Sequence, residues 1–178
     1  ADGEMIARAF PKDHPLPAWP SYDTNFKMNP PLRSQHDRAA IIEGLVDGSL
    51  EIIGSDHAPH CDFQKEVEFD YAPFGITGLE TELPLALMQL YHTGKLTLPK
   101  LIEKLTVNPA KLLRIPKGTL DIGADADITI FDPDLAWIYE KTKTASKSQN
   151  SPFHGWAMRG QALATIVAGR IVWNQLML

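Results

Sequence analysis

Cysteine is nearly absent. Cys61 is the only one among 178 residues, which excludes an intramolecular disulfide framework and a thiolate-rich zinc site. Long apolar runs are missing too, and nothing approaches the roughly 20 residues of a membrane span. Positive charge is in deficit: 17 Lys and Arg face 22 Asp and Glu, for a formal charge of -5. Phosphate binding needs clustered cations, so general nucleic-acid binding is excluded. The chain opens Ala-Asp-Gly-Glu, with no initiator Met. It has neither the basic head and apolar core of a signal peptide nor the Arg and Ser of a transit peptide; it is the lone cysteine, the lack of a membrane span and the acidic balance that lead to the expectation of a soluble, cytoplasmic protein. What is present is globular composition, 44% hydrophobic and 22% charged. The length suffices for one sizeable core, with room for a small appended unit.

Proline is concentrated at the start. Phe10 to Pro20 holds four prolines in eleven residues, which excludes a regular helix or a central strand. A domain rarely opens with about twenty such residues, so the sequence reads as the later part of something longer. Asp37 to Val46 has helical spacing, with Gly48 as a stop signal. Leu50 to Gly54 is a short apolar run expected to be a strand of a parallel α/β unit. Ser55 to Gly78 has no period and reads as a long functional loop. Helices are expected over Leu79 to Tyr91, with Pro84 in the first turn or at a kink, over Leu98 to Leu105, and over Pro109 to Leu113. The pattern turns β-rich after residue 115. Strands are expected at Asp127 to Phe131 and Trp137 to Tyr139, an exposed polar connector at Lys141 to Asn150, and a hairpin across Ala168-Gly169.

The strongest chemical feature is Asp56-His57-Ala58-Pro59-His60, directly after the expected strand. A carboxylate at the carboxyl end of a parallel strand faces the crevice where α/β proteins place their sites. It can ligate a metal ion or act as a general base, and the imidazoles can ligate metal or hold an anion. Equally, an Asp there can be a turn former or a helix cap, and the histidines surface residues. A self-contained zinc site from Asp56, His57, His60 and Cys61 is the weaker reading, because Pro59 stiffens the turn and zinc wants ligands from separate elements. Asn29, before Pro30-Pro31, is either a plain loop residue or a donor and acceptor on a stiff backbone. Phe74-Gly75 is either a plug beside a turn glycine or a place where backbone approaches a ligand. Arg33 fits an exposed or structural ion pair, while Met28 and Trp156 fit packing.

Three runs are together specific: Asn25 to Arg33 (Asn-Phe-Lys-Met-Asn-Pro-Pro-Leu-Arg), Ser55 to His60, and Pro73 to Thr81 (Pro-Phe-Gly-Ile-Thr-Gly-Leu-Glu-Thr). They resemble consecutive landmarks of bacterial-type dihydroorotases. Gly118 to Asp132, Ser151 to Trp156 and Val167 to Arg170 are similar to later segments of the wider amidohydrolase superfamily. The resemblance implies an α/β fold, the C-terminal part of a (β/α)₈ barrel over residues 1–115, followed by part of a small β-rich domain over 116–178. It implies interconversion of N-carbamoyl-L-aspartate and L-dihydroorotate in pyrimidine biosynthesis, with one or two zinc ions as cofactor. In such enzymes a metal-bound hydroxide attacks the cyclic amide. By the same resemblance Asp56 is a zinc ligand and the catalytic proton carrier. Asn29, His60, Phe74 and Gly75 are substrate-binding, and His57 has no assigned role.

The departures are equally definite. The family's His-x-His pair, bridging lysine and further metal histidines have no counterpart before Asn29, and His14 is a poor stand-in. The chain supplies at most one ligand, so the expected activity needs an N-terminal part that is not in this sequence, and the chain alone is expected to be inactive and aggregation-prone. Expected partners are the small-molecule substrate, that missing part and a second copy of the enzyme. A different reading makes the chain a non-catalytic structural or regulatory partner of aspartate transcarbamoylase. A third makes it an allantoinase or hydantoinase.

Overall fold

The computed structural model describes residues 22–176, so the proline-rich Phe10 to Pro20 stretch and His14 lie outside the described residues. Helix α1, Gln35–Asp47, begins at a reciprocal cap. The Ser34 hydroxyl donates to Asp37 Oδ2 at 2.8 Å and accepts from the Asp37 amide at 3.2 Å. Serine and aspartate thereby satisfy groups that a helix start leaves unpaired. The helix ends where Gly48 takes φ 91°, a conformation that glycine adopts without a Cβ penalty.

The expected strand at Leu50 to Gly54 is not one: no strand is assigned there among the described residues. A strand exists only through a ladder partner; none is present here among the described residues, and helices meet three of the segment's backbone groups. Lys104 Nζ donates to the Leu50 carbonyl at 2.6 Å and Asn108 Nδ2 to the Glu51 carbonyl at 2.8 Å. The Ile53 amide donates to the Lys104 carbonyl at 3.1 Å.

A four-residue helix, α2 (Asp62–Lys65), sits within the long loop. Helix α3, Leu79–Ala86, carries Pro84 in its interior and passes into a π turn at Leu87–Tyr91. Helix α4 is Leu98–Leu105 and α5 is Val107–Leu113. The latter starts two residues before the expected Pro109. Proline fits there because the first four helical amides have no intrahelical acceptor to lose.

Strand β1 runs Ile128–Ile138, merging two expected strands across Pro133. It lies at the edge of a sheet ordered β1-β2-β3, with β2 Ala157–Val167 and β3 Arg170–Asn174, and an edge strand tolerates a residue that cannot donate. Strands β2 and β3 are antiparallel, with Val167 opposite Arg170 and a register shift between Thr165 and Ile166. The expected hairpin turn is present. Ala168 and Gly169 both have positive φ, 48° and 76°, which matches the twist of flanking strands. Its tip is held by the Ala168 amide donating to Asp127 Oδ1 at 2.8 Å. The Asp127 carboxyl is in turn held below the ordinary range, first by its hydrogen bond from Lys117 and then by that amide.

The chain divides into two compact units. The described part of one comprises 22–40, Ser55–Glu82 and Trp137–Met158; that of the other comprises Ile41–Gly54, Leu83–Ala136 and 159–176. The second holds an apolar core of Leu45, Ala86, Leu87, Leu90, Leu96 and Leu101. Gly160, at φ 97°, leaves room for Leu87, whose Cδ1 would lie 2.3 Å from a Cβ at that position. The first unit holds the residues singled out for chemistry. No helix of the described residues is long and apolar enough to cross a membrane.

Candidate functional site

Within the first unit, residues 55–60 and 74–79 lie side by side, numbers rising on one as they fall on the other. The Ala58 amide donates to the Ile76 carbonyl at 2.8 Å. Further along, His60 Nε2 lies 2.9 Å from the Phe74 carbonyl. A carbonyl only accepts, so this geometry puts the proton on Nε2. At the other end His57 Nδ1 accepts from the amides of Gly78 at 3.0 Å and Leu79 at 3.3 Å. His57 therefore caps the start of α3, satisfying donors left free there.

Two glycines make this closeness possible. A Cβ on Gly75, which has φ 101°, would lie 2.5 Å from Ala58 Cβ, and one on Gly78 would lie 3.0 Å from the Ser55 carbonyl oxygen. The 24–29 segment joins from a third direction. The Gly75 amide donates to the Lys27 carbonyl at 2.9 Å, and Lys27 Nζ stands 4.9 Å from the Phe74 ring centroid, within cation–π range.

Two residues not marked by sequence reasoning sit inside this arrangement. Asn150, the last residue of the expected exposed connector, is only 3% exposed. Its Oδ1 accepts from the His60 amide at 3.0 Å, and its Nδ2 donates to the carbonyls of Ala58 at 2.9 Å and Gly75 at 3.3 Å. Lys65 is 6% exposed, and its ammonium donates to the carbonyls of Pro73 at 2.9 Å and Gly75 at 3.1 Å. Burial lowers its pKa, Asp23 opposes that shift, and Lys27 adds to it. The one sequence clue to Asn150 is its place just before Ser151 to Trp156. Lys65 carries none, since a lysine in a loop ordinarily reads as solvated.

Of the expected site residues, His60, Phe74 and Gly75 are joined by direct hydrogen bonds or chain continuity. Asn29 is exposed and lies two residues beyond Lys27, whose carbonyl anchors that segment to Gly75. Asp56 is exposed, with φ 44°, a left-handed conformation that Asp tolerates better than most residues. Its neighbours on either side both approach Gly78, Ser55 through its carbonyl oxygen and His57 through Nδ1. Among the described residues no three His, Cys, Asp or Glu side chains converge as a metal would require. A zinc centre needs three or four ligands; these residues offer one carboxylate and do not by themselves fit a zinc site.

Comparison with known proteins gives a consistent result. The profile described as "Amidohydrolase family" matches residues 21–172, a span that contains Asn29, Asp56, His60, Phe74 and Gly75. The chain is 53% identical over 151 residues to a protein of Pelotomaculum thermopropionicum named dihydroorotase, covering 85% of this chain and 35% of that protein. It is 51% identical over 155 residues to one of Syntrophus aciditrophicus with the same name, covering 87% and 36%. The chain thus spans about a third of the length of these relatives. Among solved structures, the L-hydantoinase (dihydropyrimidinase) of Arthrobacter aurescens matches with a TM-score of 0.80 and 34% identity, covering 86% of this chain and 35% of that one. The dihydropyrimidinase of Brevibacillus agri matches with a TM-score of 0.80 and 26% identity, covering 85% and 34%.

Proposed function

The chain belongs to the amidohydrolase family, and on that premise we propose that it is a portion of a dihydroorotase. The complete enzyme interconverts N-carbamoyl-L-aspartate and L-dihydroorotate in pyrimidine biosynthesis. In this reading residues 1–115 belong to a (β/α)₈ barrel and 116–178 to a smaller β-rich domain. The complete enzyme is a cytoplasmic homo-oligomer, and it holds one or two zinc ions with Asp56 as one ligand and the others on the rest of its length. The single observation that carries the reading is the half-identity to proteins of that name across 85% of this chain. The hydantoinase likeness is at lower identity and fits the alternative reading less well.

The roles follow from the groups each residue leaves available. The Asp56 carboxylate has no hydrogen-bond or ion-pair partner among the described residues, so its lone pairs are free to take a proton from attacking water and return it to the departing amide nitrogen. His60 has its Nε2 proton committed to Phe74, so binding a substrate carboxylate through Nδ1 requires the doubly protonated ring, which then makes a charge-assisted hydrogen bond. Asn29 offers an exposed amide to the substrate, and the Phe74 amide is the polar backbone group of the Phe74-Gly75 pair that no other described residue engages.

The test is an assay of the complete enzyme on L-dihydroorotate and N-carbamoyl-L-aspartate beside hydantoin and allantoin. Preference for the first pair is expected. Turnover confined to hydantoin or allantoin, or none with any of the four, overturns the reading.

A further inference from the structure

Four backbone groups of the Pro73-Phe74-Gly75 turn are occupied from within the protein. The Phe74 carbonyl takes His60, the Gly75 amide goes to Lys27, and the carbonyls of Pro73 and Gly75 take Lys65. The Gly75 carbonyl also receives Asn150. One oxygen therefore accepts from two buried side chains belonging to different parts of the chain. Asn150 uses both its N–H donors and its oxygen, and only one orientation of the amide satisfies all three partners. It also accepts the Thr77 amide on its own carbonyl at 3.0 Å, so one residue touches 58, 60, 75 and 77. Lys65 is a cation with neutral carbonyl ligands in a site where burial disfavours its charge. An apolar side chain would fill that space without the desolvation cost, so packing alone does not account for a lysine there.

We propose that Asn150 and Lys65 are positioning residues for the substrate loop: together they hold the Gly75 carbonyl, and so the Gly75-Ile76 peptide, while Lys65 also holds the Pro73 carbonyl, so that the Phe74-Gly75 peptide between them is fixed at both ends and with it the carbonyl that takes the His60 ring. Neither touches substrate. Both act through His60, Phe74 and Gly75, and the proposal rests on the reading of those three as substrate-binding. Asn150 is the more decisive of the two, because it bonds the His60 backbone directly. Lys65 acts on the turn alone.

The experiment uses the complete enzyme carrying Asn150→Asp, Asn150→Ala, Lys65→Met or Lys65→Arg. Asn150→Asp keeps the shape and the acceptor for His60, but sets an oxygen against the carbonyls of Ala58 and Gly75. It is expected to raise the KM for L-dihydroorotate at least tenfold while kcat changes less than about threefold. Lys65→Met is expected to do the same and Lys65→Arg, which keeps donors, to recover most of the loss. Nitrogen-15 NMR of histidine gives a readout independent of turnover: the His60 Nε2–H signal, slowed in exchange by Phe74, is expected to be lost in Asn150→Asp. If Asn150→Ala does not fold, Asn150→Asp and the Lys65 pair still decide. Unchanged KM with the ring signal retained overturns the proposal, as does a fall in kcat alone. If the unsubstituted enzyme turns over none of the cyclic amides, the dihydroorotase reading fails, and the ring signal in the Asn150 variants decides the positioning claim by itself.

Discussion

Ala58 and Gly75 are in contact so close that a Cβ on Gly75 would sit 2.5 Å from the Cβ of Ala58. Real Cβ atoms do not approach to that distance, and the positive φ of Gly75 adds strain for any other residue. Gly75→Ala is therefore expected to push residues 58 and 75 apart, costing about 1–3 kcal/mol in stability, the usual range for overpacking. Catalytic efficiency of the complete enzyme is expected to fall at least tenfold. Ala58→Gly in the same background removes the clash but not the φ strain, so recovery is expected to be partial. Equal efficiency of Gly75→Ala and the unsubstituted enzyme would refute the role given to this contact.

Asp56 offers the opposite case, a residue with chemistry and little structural duty. Its carboxylate is exposed, and asparagine tolerates a left-handed φ at least as well. Asp56→Asn is expected to abolish turnover of the complete enzyme, by 10²-fold or more, with thermal stability unchanged or slightly raised. Near-normal rates contradict its catalytic role, and a large fall in the melting temperature contradicts its structural independence.

Lys65 makes stability depend on pH in a direction that can be worked out. Burial lowers its pKa from 10.5 in the folded protein, while the unfolded chain keeps the ordinary value. Between the folded value and 10.5 the unfolded state binds more protons, so stability rises with pH across that interval. Comparing denaturation of the unsubstituted protein and Lys65→Met along an alkaline series cancels the other titrations. The difference is expected to move in favour of lysine as pH climbs. A flat or opposite trend counts against a buried ammonium at this position.

Leu87 is fully buried at 0% exposure, within the core of the second unit. Leu87→Ala leaves a cavity and is expected to cost about 2–5 kcal/mol, read from chemical denaturation. Gly160→Ala strikes the same leucine from the other side. Combining the two substitutions is expected to be less damaging than their sum, because the shortened side chain vacates the space the new methyl enters.

Large apolar side chains stand open on this chain. Leu112 is 72% exposed, Leu113 66%, Leu120 77% and Ile122 107%. Exposure of that kind favours self-association. The isolated chain is expected to form concentration-dependent assemblies in light scattering. A monomer that persists to high concentration contradicts the expectation.

Local chemistry is legible in the order of residues alone. Helix starts and stops, the two-residue turn at Ala168-Gly169 and the chemically marked run from Asp56 to His60 depend on φ preferences, capping and spacing, which neighbouring residues set among themselves. Pairing is not legible in that way. Leu50 to Gly54 has the composition of a strand, yet no strand pairs with it among the described residues, and its first two carbonyls, of Leu50 and Glu51, are met by Lys104 and Asn108, some fifty residues away along the chain. Asn150 and Lys65 read as solvated polar residues, and only the folded chain shows them enclosed around the Gly75 carbonyl. Burial and hydrogen-bond partnership are properties of segments distant in sequence, and no local pattern encodes which carbonyl a side chain will meet.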